Sequence, residues 1–398
     1  MAADIRPLNT DVRDSDEELE RRWKKHKKNK RRAVIIAVIA IVVIAIAAFL
    51  IQRLSRFTSA ELVSEKSLNE GSLVGIVRYA DNALKYSHDG ASYFNADGKD
   101  MWIDSYEMRV PKAYVSGDYA CIADIGGTKI NIYDRDGLCG TTETLLPITK
   151  AVVSQTGICA AVTEDSLACY IVFFQKDGSS IDITIKSVLN DDGYPVDISL
   201  SPDGTQLIVA NSFISGPQMK SRVVFYDFSE IGKNIPNRLV GGFEEPFENS
   251  MLARVKFINS TYSYAVSENA ICFFSSKNLA SPELIKQIEV SGEIEKIFNS
   301  GEDLGVITNE ESGKKLTVYK ENGTKAMELD IDFDFSLVSG DGKYIYFTGK
   351  NGCSIYNMHG VKKYSADIPD DARVIIKGKL PGRFLFTSGS YIREYQFR

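Results

Sequence analysis

INIYDRDG, residues 130–137, is one copy of a unit that returns through most of the chain. Its pattern is apolar-x-apolar-aromatic, two further residues, then Asp, Asn or His followed by Gly. The unit recurs as IVFFQKDG (171–178), LTVYKENG (316–323) and CSIYNMHG (353–360), and more weakly as ASYFNADG (91–98). VVFYDFSE (223–230) and ICFFSSKN (271–278) keep the apolar half and lose the Gly, and the chain ends inside a further copy, YIREYQFR (391–398). The short apolar run with its aromatic predicts a strand. The Asp-Gly or Asn-Gly supplies the positive φ that a tight hairpin needs. The aromatic positions are Phe94, Tyr133, Phe174, Tyr226, Phe274, Tyr319, Tyr356 and Tyr395, spaced 39, 41, 52, 48, 45, 37 and 39 residues apart.

A repeat of about 40–50 residues made of short β-rich runs has the period of a β-propeller blade. A second element precedes each aromatic run: a turn, then an apolar strand, as in SGDYACIAD from Ser116, SPDGTQLIVANS from Ser201 and SGDGKYIYFTG from Ser339. Each blade then reads as inner strand, turn, second strand, hairpin, aromatic third strand, Gly turn and outer strand. The expected fold is all-β, an eight-bladed propeller, with seven blades as the alternative if one weak copy is misassigned. The eighth copy stops at its third strand, and an open ring would expose sheet edges. Residues 57–66, FTSAELVSEK, are free to fill the gap, so they are expected to pair with the C-terminal strand near residues 391–397.

Ser201-Pro202-Asp203-Gly204 followed by Leu207-Ile208-Val209 resembles the strand turn of TolB-like and YVTN-type propellers. The whole layout is similar to an uncharacterised bacterial family of single-pass membrane proteins with an exported propeller. The resemblance spans about residues 72–398. It implies a fold and an address, and it carries over no catalytic residue. The Trp-Asp and Gly-His signatures of WD40 blades are missing, as are repeated Trp motifs; Trp23 and Trp102 are the two tryptophans.

Upstream lies AVIIAVIAIVVIAIAAFLI, residues 33–51, with no charge, Pro or Gly. As a helix, its nineteen residues rise about 28 Å, close to a bilayer's hydrocarbon thickness. Residues 21–32 before it hold nine cations, Arg21, Arg22, Lys24, Lys25, Lys27, Lys28, Lys30, Arg31 and Arg32. Such a flank stays cytoplasmic, so the N-terminus is expected inside and the C-terminal body outside the cell membrane. A core helix is a poor alternative, because the run is apolar on every face. A cleaved signal peptide is a second one, since Ala45-Ile46-Ala47 has a small-x-small form. An uncleaved anchor is preferred because the run continues through Phe49, Leu50 and Ile51 behind a long tail. The expected domains are a charged tail (1–32), a transmembrane helix (33–51), a linker with a ring-closing strand (52–71) and an extracytoplasmic propeller (72–398).

Charge sharpens the picture. Residues 1–32 hold eleven Lys or Arg against seven Asp or Glu, leaving 36 against 46, net −10, for the rest of the chain. An acidic body argues against nucleic acid as a partner. The tail has few apolar residues and is expected to be disordered or a short helix at the membrane, where its basic run meets anionic lipid or serves only as a topology signal. The six cysteines show no C-x-x-C or zinc spacing, and Cys121, Cys159 and Cys272 lie in apolar runs, so buried thiols are favoured over disulfides.

Motifs for chemistry are sparse. Three histidines exist, His26 in the tail and His88 and His359 in turn positions, and no G-x-S-x-G, H-E-x-x-H or phosphate-binding Gly loop is present. No cofactor is expected. Asp330, Asp332 and Asp334 alternate with Ile331, Phe333 and Phe335, which places three carboxylates on one strand face. Lining a channel, they would suit Ca²⁺; otherwise they are the wet side of a strand. Residues 228–251, rich in Gly, Pro and Asn, read as an extended loop. The expected function is a non-catalytic binding or scaffold module, membrane-anchored and extracytoplasmic, for a protein, peptide or cell-envelope glycan. The alternatives are an exported lyase or hydrolase, or a structural subunit of an envelope complex. The sequence names no ligand, binding face or oligomeric state.

Overall fold

The computed structural model describes residues 11–54, 56–67, 73–95, 97–216, 218–248, 250–349, 352–366, 372–378 and 380–398; in the first of these segments the side chains described are those of residues 18 and 20–47. The chain forms two compact units, residues 1–56 and 57–398.

The described residues of the first unit include one helix, Asp11–Leu54. The basic tail is therefore part of the same helix as the apolar run, not a disordered segment or a short separate helix. Its composition explains this: residues 11–54 contain no Gly or Pro, and Glu18–Arg22 and Glu20–Lys24 pair at i,i+4 across 3.4 and 3.1 Å. All nine expected topology cations are exposed, as are the apolar side chains from Val34 to Ile46. Among the described residues, no helix is long and apolar enough to cross a membrane. The side chains at residues 48–51, the end of the expected span, lie outside the described set.

In the second unit the strands form eight four-stranded antiparallel sheets. The count is eight, not the alternative of seven. Seven blades are continuous in sequence: residues 73–105, 111–143, 148–188, 194–243, 252–289, 293–331 and 337–366. The eighth combines Val374–Lys377, Arg383–Thr387 and Tyr391–Phe397 with Ala60–Ser67 from the other end of the unit. The closing register runs from Ala60 opposite Phe397 to Ser67 opposite Tyr391.

The eight aromatic markers all fall on third strands. At or beside that position, pairing with the outer strand slips in every blade. In blade 2 the slip falls between Ile132 and Tyr133; in blade 8 it falls between Leu62 and Ser64, opposite Tyr395 and Glu394. The slip is a β-bulge, which raises local twist and bends the outer strand. The closing strand carries it like any other outer strand. The Gly turns behave as their chemistry requires: Gly178 has φ of 84°, and a Cβ there would sit 2.4 Å from the Thr141 carbonyl oxygen.

Burial follows from the repeat. The core is divided into eight apolar clusters, one at each junction between neighbouring blades. Blades 8 and 1 share Ile376, Leu385 and Ile392 with Ile76, Ala83 and Phe94, so the ring closes through packing as well as hydrogen bonds. Each blade buries apolar side chains on both faces, which is why the second and third strands read as continuous apolar runs. The cysteines are free thiols, with five of the six buried in these junctions.

Residues 228–251 are not one extended loop. They contain the outer strand of blade 4, Leu239–Phe243, flanked by one-turn helices at Gly232–Asn234, Pro236–Arg238 and Glu245–Phe247. Phe247 is fully buried between blades 4 and 5. The two glycines of LVGGF hide the strand from a propensity reading.

Candidate functional site

Blade 4 departs from the other seven. Its second and third strands, Gln206–Ser215 and Gln218–Asp227, are ten residues each and project as a long hairpin. The register sets Leu207 opposite Tyr226, Val209 opposite Val224, Asn211 opposite Arg222, Phe213 opposite Lys220 and Ile214 opposite Met219. Alternation puts the first four pairs on the face turned to blade 3. The inner part of that face packs apolar against blade 3 through Leu207, Val209 and Tyr226. Farther out the two blades separate, leaving a groove of about 610 Å³.

The outer strand of blade 3, Ser180–Val188, gives one wall through Thr184, Ile185, Lys186 and Ser187. Blade 4 gives the other through Asn211, Arg222, Val224 and Tyr226, with Leu239, Gly242 and Phe243 from its outer strand. Arg222 is held in place: its Nη2 donates to the Asp192 carbonyl oxygen at 2.7 Å, and its guanidinium lies 5.0 Å from the Phe213 ring centre. Ser187 donates to the Gly193 carbonyl oxygen at 2.7 Å, fixing the loop that carries Asp192. Burial pushes the Tyr226 phenol up to about 12, so it stays protonated at neutral pH.

Two polar atoms in this groove have no partner among the described residues. Asn211 is 4% exposed, and its Oδ1 accepts no hydrogen bond; Arg222 Nε donates none. An unpaired buried polar atom costs about 1–3 kcal/mol. The two belong to directly opposed residues, so one wall offers both an acceptor and a donor. That arrangement complements the N–H and C=O of an extended peptide.

The mouth of the groove opens on the face where second-to-third and outer-to-inner connections emerge, because strand direction alternates within each blade. Large apolar side chains stand exposed on these connections across blades 2 to 5: Leu145, Leu167, Ile214, Met219 and Met251. Ile214 is 74% exposed and Met219 50%.

The acidic row lies elsewhere. Asp330 is in the outer strand of blade 6, Lys325–Ile331, and Asp332 and Asp334 follow its end; all three are exposed. The alternation is real, since Ile331 is buried and Phe333 and Phe335 pack on Phe347. An outer strand does not line the channel, however, which was the condition for a metal. Among the described residues, no three His, Cys, Asp or Glu side chains are grouped to hold a metal ion. His88 Nδ1 lies 3.2 Å from the Met108 carbonyl oxygen, and Asn357 Oδ1 accepts from the His359 N–H at 3.0 Å, so both histidines sit in turns. Asn211 and Arg222 were not singled out from sequence. Their signal was one polar residue in each of two apolar alternations, Leu207-Val209-Asn211-Phe213 and Arg222-Val224-Tyr226.

The fold has relatives among solved structures. BamB from Moraxella catarrhalis superposes with a TM-score of 0.51 at 15% identity, covering 86% of this chain and 98% of that one. Chaetomium thermophilum Sqt1, bound to the N-terminus of the ribosomal protein L10, gives 0.55 at 10% identity, covering 85% and 100%. At these identities the likeness shows the propeller fold alone. No curated protein matches the chain. A sequence match to DUF5711, a family of unknown function, covers residues 53–397, and the chain belongs to that family.

Proposed function

We propose that the chain is a non-catalytic binding or scaffold module that holds a protein or peptide segment in the groove between blades 3 and 4. The observation that carries this reading is the opposed pair Asn211 Oδ1 and Arg222 Nε, an acceptor and a donor left unpaired, among the described residues, in a cleft of mixed polar and apolar lining. They are hydrogen-bonding groups rather than a nucleophile and its base. The apolar rim around Ile214 and Met219 adds a surface of the kind that docks protein. Sqt1, a propeller of the same fold, is bound to the N-terminus of another protein. The reading includes the address expected from the sequence: a TolB-like or YVTN-type propeller tethered by residues 33–51, with the basic flank in the cytoplasm and the ring outside.

The test is selection from a displayed peptide library against the full chain in nanodiscs. Gly242 lines the groove, its φ is not positive, and a Cβ there meets only the Val223 carbonyl oxygen at 3.9 Å. Gly242→Trp therefore fills the cleft without backbone strain. Peptides that bind the native chain and lose at least tenfold in affinity for Gly242→Trp support the reading. Peptides that bind both equally, or a cell-envelope glycan as the one ligand retained, overturn it. Protease added to intact cells tests the address: digestion of the propeller from outside supports it, and protection until lysis contradicts it.

A further inference from the structure

The inner strands present sheet edges to the central channel, and their side chains do much of the work of satisfying them. From blade 4, Asp197 Oδ2 accepts from the Val255 N–H at 2.9 Å and Ser199 Oγ accepts from the Phe257 N–H at 3.1 Å, both in the inner strand of blade 5. Lys256 Nζ donates to Asn299 Oδ1 of blade 6 at 3.0 Å, and Lys150 of blade 3 pairs with Asp197. Each contact reaches to the next blade round the ring, so these polar groups have a structural role.

Two cations are left over. Arg254 has no carboxylate and no hydrogen-bond acceptor among the described residues, and Lys112 has only the Tyr114 ring, 5.6 Å from its Nζ. Both line one cavity of about 290 Å³ with Lys150, Lys256 and Asp197. Four cations thus face one carboxylate, and that carboxylate is already taken. This stands out in a chain whose residues beyond the tail carry net −10. The crowded wall, and then Arg254, hold the Lys256 ammonium below its ordinary value, with Asp197 pulling the other way. Like charges gathered in a concave site repel one another and focus a field that draws in an anion. The guanidinium fork of Arg254 fits two oxygens of one group, and Lys112 supplies a point charge from across the cavity.

We propose that the channel between blades 2 and 5 binds a compact polyvalent oxyanion, a phosphate or a polycarboxylate, with Arg254 and Lys112 as its principal ligands. The site is separate from the groove between blades 3 and 4, and its probes are not peptides, so either reading can fail alone. The experiment is calorimetric titration of the full chain, in nanodiscs of zwitterionic lipid, with pyrophosphate and with citrate. The expected result is one saturable site for at least one of them, weakened about tenfold by Arg254→Gln and again by Lys112→Gln, and weakened by raised NaCl. Preference for pyrophosphate or for citrate identifies the source of the oxyanion. Lys277→Gln, an exposed lysine outside the channel, leaves binding unchanged. Because Arg254 and Lys112 have no carboxylate partner among the described residues, their Gln variants should melt no lower than the native chain without ligand. Ligand should raise the melting temperature of the native chain and not that of the double variant. Should Arg254→Gln fail to fold, Arg254→Lys keeps the charge and loses the fork, and still binds several-fold more weakly. No binding of either probe, undiminished binding by the double variant, or binding of polyglutamate alone overturns the proposal.

Discussion

Blade 8 and blade 4 depart from the common pattern in opposite ways. Blade 8 is assembled from two pieces, residues 60–67 and 374–397, yet it keeps every feature of the repeat. Its third strand carries the aromatic, and its borrowed outer strand carries the bulge. Blade 4 is one continuous piece, yet its hairpin is lengthened and its outer strand is held among one-turn helices. The difference separates two roles. What holds the ring is independent of chain order, because it depends on registers and junction packing that a strand from anywhere can satisfy. What breaks the repeat, as Asn211 and Arg222 do, adds unsatisfied groups that the ring itself has no use for.

Removing the borrowed strand breaks this comparison most severely. Deletion of residues 57–67 exposes the edge of Tyr391–Phe397 and strips Phe57 from its neighbours, so the full chain should aggregate on size exclusion and lose its cooperative melt. A melt within a few degrees of the native chain would mean that blade 8 needs no fourth strand. Phe57→Ala is the next largest change. Phe57 sits 5.7 Å from Phe397 and 6.4 Å from Phe384 in near edge-on contact, and its N–H donates to the Lys363 carbonyl oxygen at 2.7 Å. The truncation should cost about 2–3 kcal/mol in urea unfolding. The ion pairs beside it, Glu65–Arg393 at 2.8 Å and Glu61–Arg398 at 3.3 Å, are partly exposed and should contribute less than about 1 kcal/mol each.

Blade 4 should respond with the opposite sign. Asn211→Leu removes an unpaired buried carbonyl, so it should stabilise the ligand-free chain by about 1 kcal/mol while abolishing peptide binding in the groove. Loss of stability in Asn211→Leu would mean that the amide has a structural partner. The smallest effect is at the strand turn of the same blade. Burial pushes the Asp203 carboxyl up, but the Ser201 hydroxyl, donating at 2.6 Å, and the Thr205 N–H, at 3.1 Å, outweigh it and hold the group below its ordinary value. A depressed folded value adds stability that is complete above the unfolded value of about 3.9 and is lost as pH falls through the folded one. The gap in melting temperature between native chain and Asp203→Asn should therefore be present at pH 6 and shrink below about pH 4. A gap that does not change with pH would assign the effect to packing.

The ring was legible because its signals are local and repeated. Eight aromatics 37–52 residues apart, five of them followed by a Gly turn, need only neighbours in sequence to be seen, and the unfinished last unit points to a missing strand. The blade 4 outer strand was hidden because Gly241 and Gly242 interrupt LVGGF and the segment lies among Gly, Pro and Asn turn signals. The alternation at Asp330, Asp332 and Asp334 was readable, but its place in the blade was not, since period two is the same on an inner and an outer strand. The groove depends on a cross-strand register joining Asn211 to Arg222 and on the separation of two blades, neither of which a linear pattern encodes. The cations of the channel lie on inner strands far apart in sequence, and ring closure alone brings Lys112 and Arg254 to one cavity.

Joining the chain's two ends into one sheet is the claim on which the ring rests, and a cysteine pair tests it directly. Glu65 and Arg393 are register partners, 328 residues apart. In membranes carrying the full chain with Glu65→Cys and Arg393→Cys, mild oxidation should give an intramolecular disulfide seen as a mobility shift on a non-reducing gel. Glu65→Cys with Glu394→Cys, one residue out of register and on the opposite face, should not. Absence of the shift in the first pair, or equal yield in both, would contradict the closure.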